Sequence, residues 1–330
     1  MAAQRVLVTA RAFFSAGAAA AEPLRQAGIE VVRAPRFGPL TEEELIRALE
    51  GCAGVIASSD PYGDPVFRAV PGLRVIARTG VGYDSIDLDA ATAHGVVAVT
   101  TPGGIAETVA DFAFGLLLAV ARRIPEGAAL MRRGGWAAEL PATEVWGGCL
   151  GIVGMGAVGA AVARRAAAFR MRVAAYDPGL QPGEIRARGA EPLDLRTLLG
   201  EADFVTLHAA LTPGSRRLIG AEELGAMKPG AFLINTARGG LVDHDALLEA
   251  LEAGRIAGAA LDCFELEPLP AEHPLRQSAR CLLTPHVAFS TRRNSLDMSR
   301  RAAQAVAAVL GGTPPPSDVR VLNPEALRPR

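Results

Sequence analysis

A glycine-rich run near the middle of the chain constrains its fold more than any other feature. Residues 149–153 form an apolar stretch typical of a β-strand, and Gly154, Gly156 and Gly159 follow it in the pattern G-x-G-x-x-G. In such a turn the first glycine permits a sharp bend, the second lets a pyrophosphate approach the backbone, and the third lets the following helix pack closely. The pattern therefore predicts a strand, a turn and a helix that bind a dinucleotide at the helix N-terminus.

An acidic residue further along makes this prediction more specific. A second strand is predicted at residues 172–176, and it ends at Asp177, about 20 residues after the glycines. A carboxylate at that point accepts hydrogen bonds from a ribose 2′-hydroxyl and repels a 2′-phosphate. The sequence therefore predicts NAD as the cofactor in preference to NADP.

Short valine- and isoleucine-rich runs alternate with alanine- and leucine-rich helical stretches along almost the whole chain. This alternation is typical of parallel strands joined by crossover helices, so we expect an α/β protein. Because 330 residues exceed the usual size of one domain, we expect two Rossmann-like domains with doubly wound parallel sheets, separated by a cleft. The run Pro102-Gly103-Gly104 interrupts the pattern before a long helical stretch. Residues 1–102 and 290–330 are predicted to form a flavodoxin-like substrate domain, and residues 103–289 the NAD-binding domain.

Composition argues against several classes of protein. The formal net charge of −1 provides no excess of basic residues for binding nucleic acid. The longest apolar stretch, residues 112–121, is about half of the roughly 20 residues that cross a bilayer, and we recognise no secretion signal. The four cysteines are far apart and lie mostly in apolar runs, which favours buried thiols in a reducing compartment. We therefore expect a cytoplasmic protein with a small-molecule partner, no metal, and no contact with nucleic acid or membrane.

Polar residues that follow predicted strands in the second domain offer the chemistry for reducing a 2-oxo acid. Hydride transfer to such an acid needs a cation that polarises it, a proton donor for the developing alkoxide, and a group that holds the donor. Arg238 supplies a planar guanidinium that matches a carboxylate. The imidazole of histidine titrates near neutral pH, so His286 is the predicted proton donor. Either Glu267 or Glu265 could orient its ring.

Taken together, these features resemble the D-isomer-specific 2-hydroxyacid dehydrogenase family, in particular its phosphoglycerate dehydrogenase-like branch. The matching motifs run along nearly the whole chain and comprise residues 78–84, the glycine turn, residues 227–230 and 235–240, Leu261-Asp262, Glu267-Pro268 and Thr284-Pro285-His286. The resemblance implies an NAD-dependent enzyme that interconverts D-2-hydroxy acids and 2-oxo acids, with Arg238, Glu267 and His286 as catalytic residues. It also implies a homodimer joined through the cofactor domain, with the segment 131–145 reaching across to the second copy.

The predicted site also includes residues that would bind the cofactor and the substrate. The residues expected to contact NAD are Gly154, Gly156, Ala157, Val158, Gly159, Asp177, His208, Thr236, Ala237, Arg238, Asp262, His286 and Ala288. The residues expected to contact the substrate are Ser59, Thr79, Gly80, Val81, Gly82, Arg238 and His286. The backbone amides of residues 80–82 are expected to receive the substrate carboxylate.

Two departures from the family pattern concern the affinity for NAD and the choice of substrate. Ala157 and Val158 stand where the family often has arginine and isoleucine, so a side-chain contact to the cofactor phosphate is missing. Asp60 lies in the loop that usually gives phosphoglycerate dehydrogenases a basic residue, and we expect its carboxylate to repel a substrate phosphate. One alternative is a D-3-phosphoglycerate dehydrogenase whose phosphate ligands come from elsewhere, for instance from Arg132 or Arg133. Another is an NAD-sensing binding protein, similar to the family's corepressors, without physiological turnover.

Overall fold

The computed structural model describes residues 3–36, 39–102, 104–137 and 139–327, and the chain divides into two units. Unit 1 comprises Met1–Ile105 and Phe289–Arg330, and unit 2 comprises Ala106–Ala288. The first boundary thus falls just beyond the predicted interruption, of which Gly103 lies outside the described residues.

The described residues form strands and helices that alternate along the chain. The strands are β1 (Arg5–Val8), β2 (Glu30–Arg33), β3 (Gly54–Ala57), β4 (Val75–Arg78), β5 (Val97–Thr100), β6 (Cys149–Val153), β7 (Arg172–Tyr176), β8 (Glu191–Pro192), β9 (Phe204–Leu207), β10 (Phe232–Asn235), β11 (Gly258–Leu261), β12 (Cys281–Leu283) and β13 (Arg320–Val321). The helices are α1 (Arg11–Ser15), α2 (Ala18–Gln26), α3 (Glu42–Ala48), α4 (Asp64–Ala69), α5 (Leu88–Ala93), α6 (Ile105–Ala121), α7 (Ile124–Arg132), α8 (Ala157–Ala168), α9 (Pro182–Ala187), α10 (Leu195–Glu201), α11 (Ala221–Ala226), α12 (His244–Glu252) and α13 (Arg292–Leu310). This alternation confirms the predicted α/β class.

Unit 1 is built on a six-stranded sheet in the order β2-β1-β3-β4-β5-β13. The first five strands are parallel and have the flavodoxin-like order, while β13 pairs antiparallel with β5 at one edge. Successive residues of β1 face opposite sides, so that Val6 and Val8 pack with Val306 of α13 and Leu7 packs with Leu45 of α3. Helices cover both faces, which explains why the strands are continuous apolar runs.

Unit 2 is built on a seven-stranded, wholly parallel sheet in the order β8-β7-β6-β9-β10-β11-β12. This is the Rossmann strand order with one strand added. Leu150 and Ile152 of β6 face one buried cluster and Val153 faces the other. Each fully buried side chain of this size stabilises the fold by about 1.5–3 kcal/mol. The strand order reverses between β6 and β9, and ligands of such sheets bind beyond the strand ends at that point.

The sequence missed some elements outside the regular alternation. The stretch after α6 forms a further helix, α7, although it contains a proline and a glycine. The proline lies in the first turn of the helix, where its missing N–H group is not needed. The two-residue strands β8 and β13 were also missed, because so short a run has no readable periodicity. None of the helices in the described part of the chain combines the length and the apolarity that a bilayer crossing needs.

Candidate active site

The glycine turn, residues 154–159, is shaped by close contacts between backbone segments. Gly154 has a φ of 95°, and a Cβ atom there would lie 2.5 Å from the amide nitrogen of Ala209. A Cβ atom on Gly159 would lie 2.2 Å from the carbonyl oxygen of Gly154. At Gly156, by contrast, no atom of the described residues lies within 4 Å of the Cβ position. Two glycines are therefore required by the fold, and the third keeps space open beside the turn.

Asp177 follows β7 and holds the glycine turn in place. Its Oδ2 accepts a hydrogen bond from the amide of Met155 at 2.8 Å, and its Oδ1 accepts one from the amide of Gly179 at 2.9 Å. A carboxylate has about four lone-pair sites, so each oxygen can accept a further hydrogen bond. The carboxylate can thus brace the turn and also accept hydrogen bonds from ribose hydroxyls.

The residues around the turn fit an NAD molecule. Helix α8 begins at the exposed Ala157, and its first turn receives no hydrogen bond from a capping side chain. Those backbone amides suit the anionic pyrophosphate. Val158 is half-buried beside them. The buried Oγ1 of Thr236, beyond β10, has no hydrogen-bond partner among the described residues, which is unusual for a buried hydroxyl and fits a polar ligand.

His208 lies beyond β9, next to the turn. Its amide donates to the carbonyl of Val153 at 2.7 Å, and its Nε2 lies 3.0 Å from Oγ1 of Thr206. Burial lowers the pKa of His208 to about 3, so its ring is neutral at physiological pH. His208 therefore belongs to the wall of the turn, and proton exchange at neutral pH does not involve it.

Arg238 stands in a loop that Asn235 fixes. Asn235 is fully buried at the end of β10, where its Nδ2 donates to the carbonyl of Arg238 at 2.8 Å and its Oδ1 accepts from the amide of Ala237 at 3.0 Å. The Nη1 of Arg238 donates to the carbonyl of Ala237 at 2.7 Å. Sequence reasoning overlooked Asn235, although a polar residue that ends an apolar strand is a visible signal.

Close packing joins the Arg238 loop to the loop that follows β11. A Cβ atom on Gly239 would lie 1.9 Å from the carbonyl carbon of Phe264, so only glycine allows these two backbones to touch. Phe264 in turn donates its amide to Oε1 of Glu267 at 2.9 Å. Arg238 and Glu267 are thereby brought into the same neighbourhood.

His286 pairs with Glu267, not with Glu265. The Nδ1 of His286 lies 2.7 Å from Oε2 of Glu267. Glu265 instead forms ion pairs with Arg216 and Arg217. The sequence left open which of the two glutamates orients His286. The structure favours Glu267, because the side chains of residues 265 and 267 point toward different partners.

Asp262 holds the backbone on both sides of His286. Its Oδ1 accepts from the hydroxyl of Thr284 at 2.6 Å and from the amide of Val287 at 3.0 Å, and its Oδ2 accepts from the amide of Ala288 at 2.8 Å. His286 itself has a φ of 52°, a left-handed conformation that costs energy for a residue with a side chain. The buried carboxylate therefore stabilises a strained loop.

The charges of the three predicted catalytic residues interact. Burial alone would raise the pKa of Glu267. The hydrogen bond and charge interaction with His286, the amide of Phe264 and the positive charge of Arg238 outweigh burial, so the pKa lies below its ordinary value of 4.5. At neutral pH the site therefore presents an ionised carboxylate to His286, with the guanidinium of Arg238 close enough to act on the same carboxylate.

The loop after β4 in unit 1 contains four of the predicted substrate-binding residues, Thr79, Gly80, Val81 and Gly82. Thr79 uses both its amide and its hydroxyl to donate to the carbonyl of Ala57 at 3.1 Å, and the amide of Gly80 donates to Oγ1 of Thr101 at 3.0 Å. Among the described residues, the amides of Val81 and Gly82 have no hydrogen-bond acceptor. The amide of Gly80 is therefore already bound to Thr101, whereas the next two amides remain available for an anion.

The guanidinium of Arg78 lies beside this loop and was not among the predicted site residues. It donates to the carbonyl of Thr79, and its Nη1 would lie 3.0 Å from a Cβ atom on Gly80. Arg78 is the last residue of β4, so its position at a strand end was a signal available in the sequence.

The expected repulsion between Asp60 and a substrate phosphate is wrong. Its side chain is fully buried, where Oδ1 accepts from the amide of Leu40 at 2.9 Å and Oδ2 accepts from the hydroxyl of Thr9 at 2.5 Å. The carboxylate points into unit 1 and ties β1 to neighbouring loops. It does not face outward to repel a substrate phosphate, whereas its neighbour Ser59 is half-buried.

Known proteins resemble this chain over most of its length. Residues 114–288 match the family model of the D-isomer-specific 2-hydroxyacid dehydrogenase NAD-binding domain. A glyoxylate reductase of Korarchaeum cryptofilum is 41% identical over 298 residues, which cover 88% of this chain and 89% of that protein. A D-3-phosphoglycerate dehydrogenase of Methanocaldococcus jannaschii is 39% identical over 276 residues, which cover 83% of this chain but 52% of that protein. The crystal structure of the TT0316 protein of Thermus thermophilus superposes with a TM-score of 0.86 at 42% identity, covering 97% of this chain and 100% of that one.

The chain therefore belongs to the D-isomer-specific 2-hydroxyacid dehydrogenase family. It is an NAD-dependent oxidoreductase that interconverts 2-hydroxy acids and 2-oxo acids. The predictions of the family, the enzyme class and the cofactor are thus confirmed. The individual roles of the site residues rest on the geometry given above.

Proposed function

We propose that this enzyme reduces a small 2-oxo acid to the D-2-hydroxy acid, with Arg238, Glu267 and His286 as its catalytic residues. The observation that carries the proposal is the 2.7 Å contact between Nδ1 of His286 and Oε2 of Glu267. A carboxylate only accepts hydrogen bonds, so Nδ1 bears the hydrogen, and we assign Nε2 to the proton transfer with the substrate. The left-handed backbone that Asp262 braces keeps the ring in this orientation.

Each residue then has a defined task. When bound, NADH supplies the hydride that adds to C2 of the oxo acid. The Nε2 of His286 donates a proton to the oxygen that becomes the hydroxyl, and Glu267 stabilises the imidazolium that precedes this transfer. The guanidinium of Arg238 binds the carboxylate and polarises the carbonyl.

Within unit 2, we propose that the glycine turn, Asp177 and the uncapped start of α8 hold NAD. The amides of Ala157 and Val158 would donate hydrogen bonds to the pyrophosphate. The carboxylate of Asp177 would accept hydrogen bonds from the adenosine ribose. The orphaned hydroxyl of Thr236 is proposed to bind a polar group of the same molecule, and Asp262 to hold the neighbouring loop in place. Unit 2 is thus the cofactor domain.

Within unit 1, we propose that the amides of Val81 and Gly82 bind the substrate carboxylate. Both lack an acceptor among the described residues, and neighbouring amides in a turn make an anion-binding concavity. Unit 1 is thus the substrate domain. Replacing Gly82 by proline would remove one of the two amides, and we expect KM for the oxo acid to rise more than KM for NADH.

The similarity to two glyoxylate reductases, which covers about nine tenths of each chain, favours glyoxylate as the substrate, and we propose hydroxypyruvate as a second unphosphorylated substrate. The test is a panel in which glyoxylate, hydroxypyruvate and phosphohydroxypyruvate are each reduced with NADH. We expect kcat/KM to be at least about tenfold higher for the two unphosphorylated acids. Failure of the purified enzyme to oxidise NADH with any 2-oxo acid would instead favour the NAD-sensing alternative.

A second candidate, D-3-phosphoglycerate dehydrogenase, is favoured by Arg78. Its guanidinium borders the proposed carboxylate-binding amides, and the inward direction of Asp60 removes one argument against a phosphorylated substrate. In the same panel, this candidate predicts the highest kcat/KM for phosphohydroxypyruvate. It also predicts that Arg78→Ala lowers this value more than the value for glyoxylate.

We also propose that the enzyme is a homodimer that associates through residues 131–145. Large apolar side chains are exposed in and around this segment: Ile124, Met131, Trp136, Leu140 and Trp146. Trp136 alone is 84% exposed, and an unpartnered tryptophan of this kind is a common interface anchor. Light scattering should give twice the chain mass, and Trp136→Ser should shift the species toward monomer.

We further propose that the enzyme acts in the cytoplasm. Its cysteines, Cys52, Cys149, Cys263 and Cys281, are all free thiols. Thiols persist in a reducing compartment. Fractionation of cells that produce the native protein would test this, with enrichment outside the cytoplasm as the contradicting result.

A further inference from the structure

Arg188 directly follows α9, and its side chain forms a hydrogen bond with the backbone of the glycine turn. Its Nη1 donates to the carbonyl oxygen of Met155 at 2.5 Å. Met155 lies between the first two glycines of the turn, and its side chain is fully buried. Its amide donates to Asp177, so the backbone of this one residue is held at both ends by side chains of opposite charge.

The turn itself contributes no positive charge to an anion. Ala157 and Val158, the first two residues of α8, have neutral side chains, and the carboxylate of Asp177 adds a negative charge close by. The amides at the start of α8 attract a pyrophosphate only through partial charges. A guanidinium bound to the carbonyl of Met155 offsets the charge of Asp177 and adds a full positive charge to the same turn.

We propose that Arg188 is a positioning residue for the cofactor. It fixes the carbonyl of Met155, which sets the direction of the amides that follow it, and it supplies the positive charge that the turn lacks. Its effect is on affinity for the pyrophosphate, which NADH and NADPH share. The proposal rests on NAD binding alone and does not depend on the proposed substrate.

The first test is NADH binding to the purified protein, measured by fluorescence titration. Arg188→Met removes the charge and the hydrogen bond, and we expect Kd to rise about tenfold. Arg188→Lys keeps the charge and should stay within about threefold of the wild type. Arg186→Met, an exposed arginine of α9 itself, is the matched control and should change Kd less than about twofold. At saturating NADH, kcat of the control variant Arg186→Met should equal that of the wild type.

Two further measurements separate a charge effect from a structural one. Ala157→Arg in the Arg188→Met background places a guanidinium on an exposed position of the turn, and we expect Kd to return to within about threefold of the wild type. The ratio between the Kd of Arg188→Met and that of the wild type should also shrink as salt rises from about 0.05 to 0.5 M, because salt screens the interaction.

Three results would overturn the proposal. One is an unchanged Kd for NADH in Arg188→Met. Another is a weakened affinity that neither lysine nor Ala157→Arg restores while the melting temperature of the cofactor-free protein falls, which indicates a purely structural role. The third is a loss of NADPH affinity at least about tenfold larger than the loss of NADH affinity, which places the guanidinium at the 2′-position of the ribose.

Discussion

In unit 2, the site residues at the ends of β6 and β7 differ in kind from those at the ends of β10, β11 and β12. At β6 and β7 the site consists of backbone: glycines that admit close contacts, uncapped amides, and one carboxylate that braces them. At β10, β11 and β12 it consists of side chains, and each is held by a buried polar residue or a second hydrogen bond. We refer to these regions as the binding half and the chemical half.

The difference follows from what each half must recognise. A pyrophosphate needs several amides at fixed positions, which one turn and one helix supply. A proton transfer needs one side chain in one orientation, which no single turn can fix. Changes in the binding half are therefore expected to alter affinity or folding, and changes in the chemical half are expected to alter the rate.

The largest effect is expected at His286. His286→Ala removes the proposed proton donor, and kcat should fall about 10²- to 10⁴-fold while Kd for NADH stays within about threefold. Steady-state kinetics and fluorescence titration measure the two quantities. The control is His273→Asn, which keeps a side-chain acceptor for the amide of Leu275. Losses of similar size in rate and in NADH affinity would mean that the two halves are not separable.

A smaller loss of rate is expected from Glu267→Gln. The glutamine oxygen can still accept from the amide of Phe264, but its NH₂ group meets Nδ1 of His286 and no longer stabilises a charged ring. We expect kcat to fall about 10- to 10³-fold. Glu265→Gln should change kcat less than about threefold, because Glu265 pairs with Arg216. Equal effects of the two substitutions would contradict the assignment.

The same substitution has a consequence for stability as a function of pH. The pKa of Glu267 is lowered from 4.5 in the folded protein, so its ionised form contributes stability above that pH. The contribution is lost as the pH falls below 4.5 and through the folded pKa. The difference in unfolding free energy between the wild type and Glu267→Gln should therefore be larger at about pH 7 than at about pH 4.

In the binding half, a pair of glycine substitutions separates folding from affinity. Gly159→Ala forces a Cβ atom against the carbonyl of Gly154, and we expect a loss of about 1–3 kcal/mol in unfolding free energy. Gly156→Ala meets no protein atom, so stability should be nearly unchanged while Kd for NADH rises about tenfold. Thermal melts without cofactor and NADH titrations measure these effects. A stable Gly156→Ala variant with unchanged Kd would contradict the proposed binding half.

The smallest effect is expected at His208, where β9 joins the two halves. The pKa of His208 is about 3 in the folded protein and 6.5 ordinarily, so below pH 6.5 the unfolded chain binds a proton that the folded one does not. The wild type should therefore lose about 1–2 kcal/mol of stability between about pH 7 and pH 5 through this residue. His208→Gln should lose less over the same range in urea titrations, and an identical loss would contradict the burial of the ring.

The binding half could be predicted from the sequence because its parts are neighbours in the chain. The glycine pattern, the strand before it and Asp177 lie within about 30 residues, and each constraint is steric or local. The chemical half was only partly predictable. Asn235 was overlooked in the chemical half. In unit 1, Arg78 was overlooked and the direction of Asp60 was wrong, because the side on which a polar residue points depends on distant segments such as β1.

The sequence by itself determined the α/β class, the repeating strand–helix units and the identity of the residues at the strand ends. It did so because apolar periodicity and glycine sterics act over a few residues. Only the tertiary structure decided that Glu267, not Glu265, meets His286, that Asp262 braces a left-handed backbone, and that Arg188 reaches the glycine turn. These contacts depend on how loops that are far apart in the chain pack against each other. A local sequence pattern carries no information about the distances between such loops.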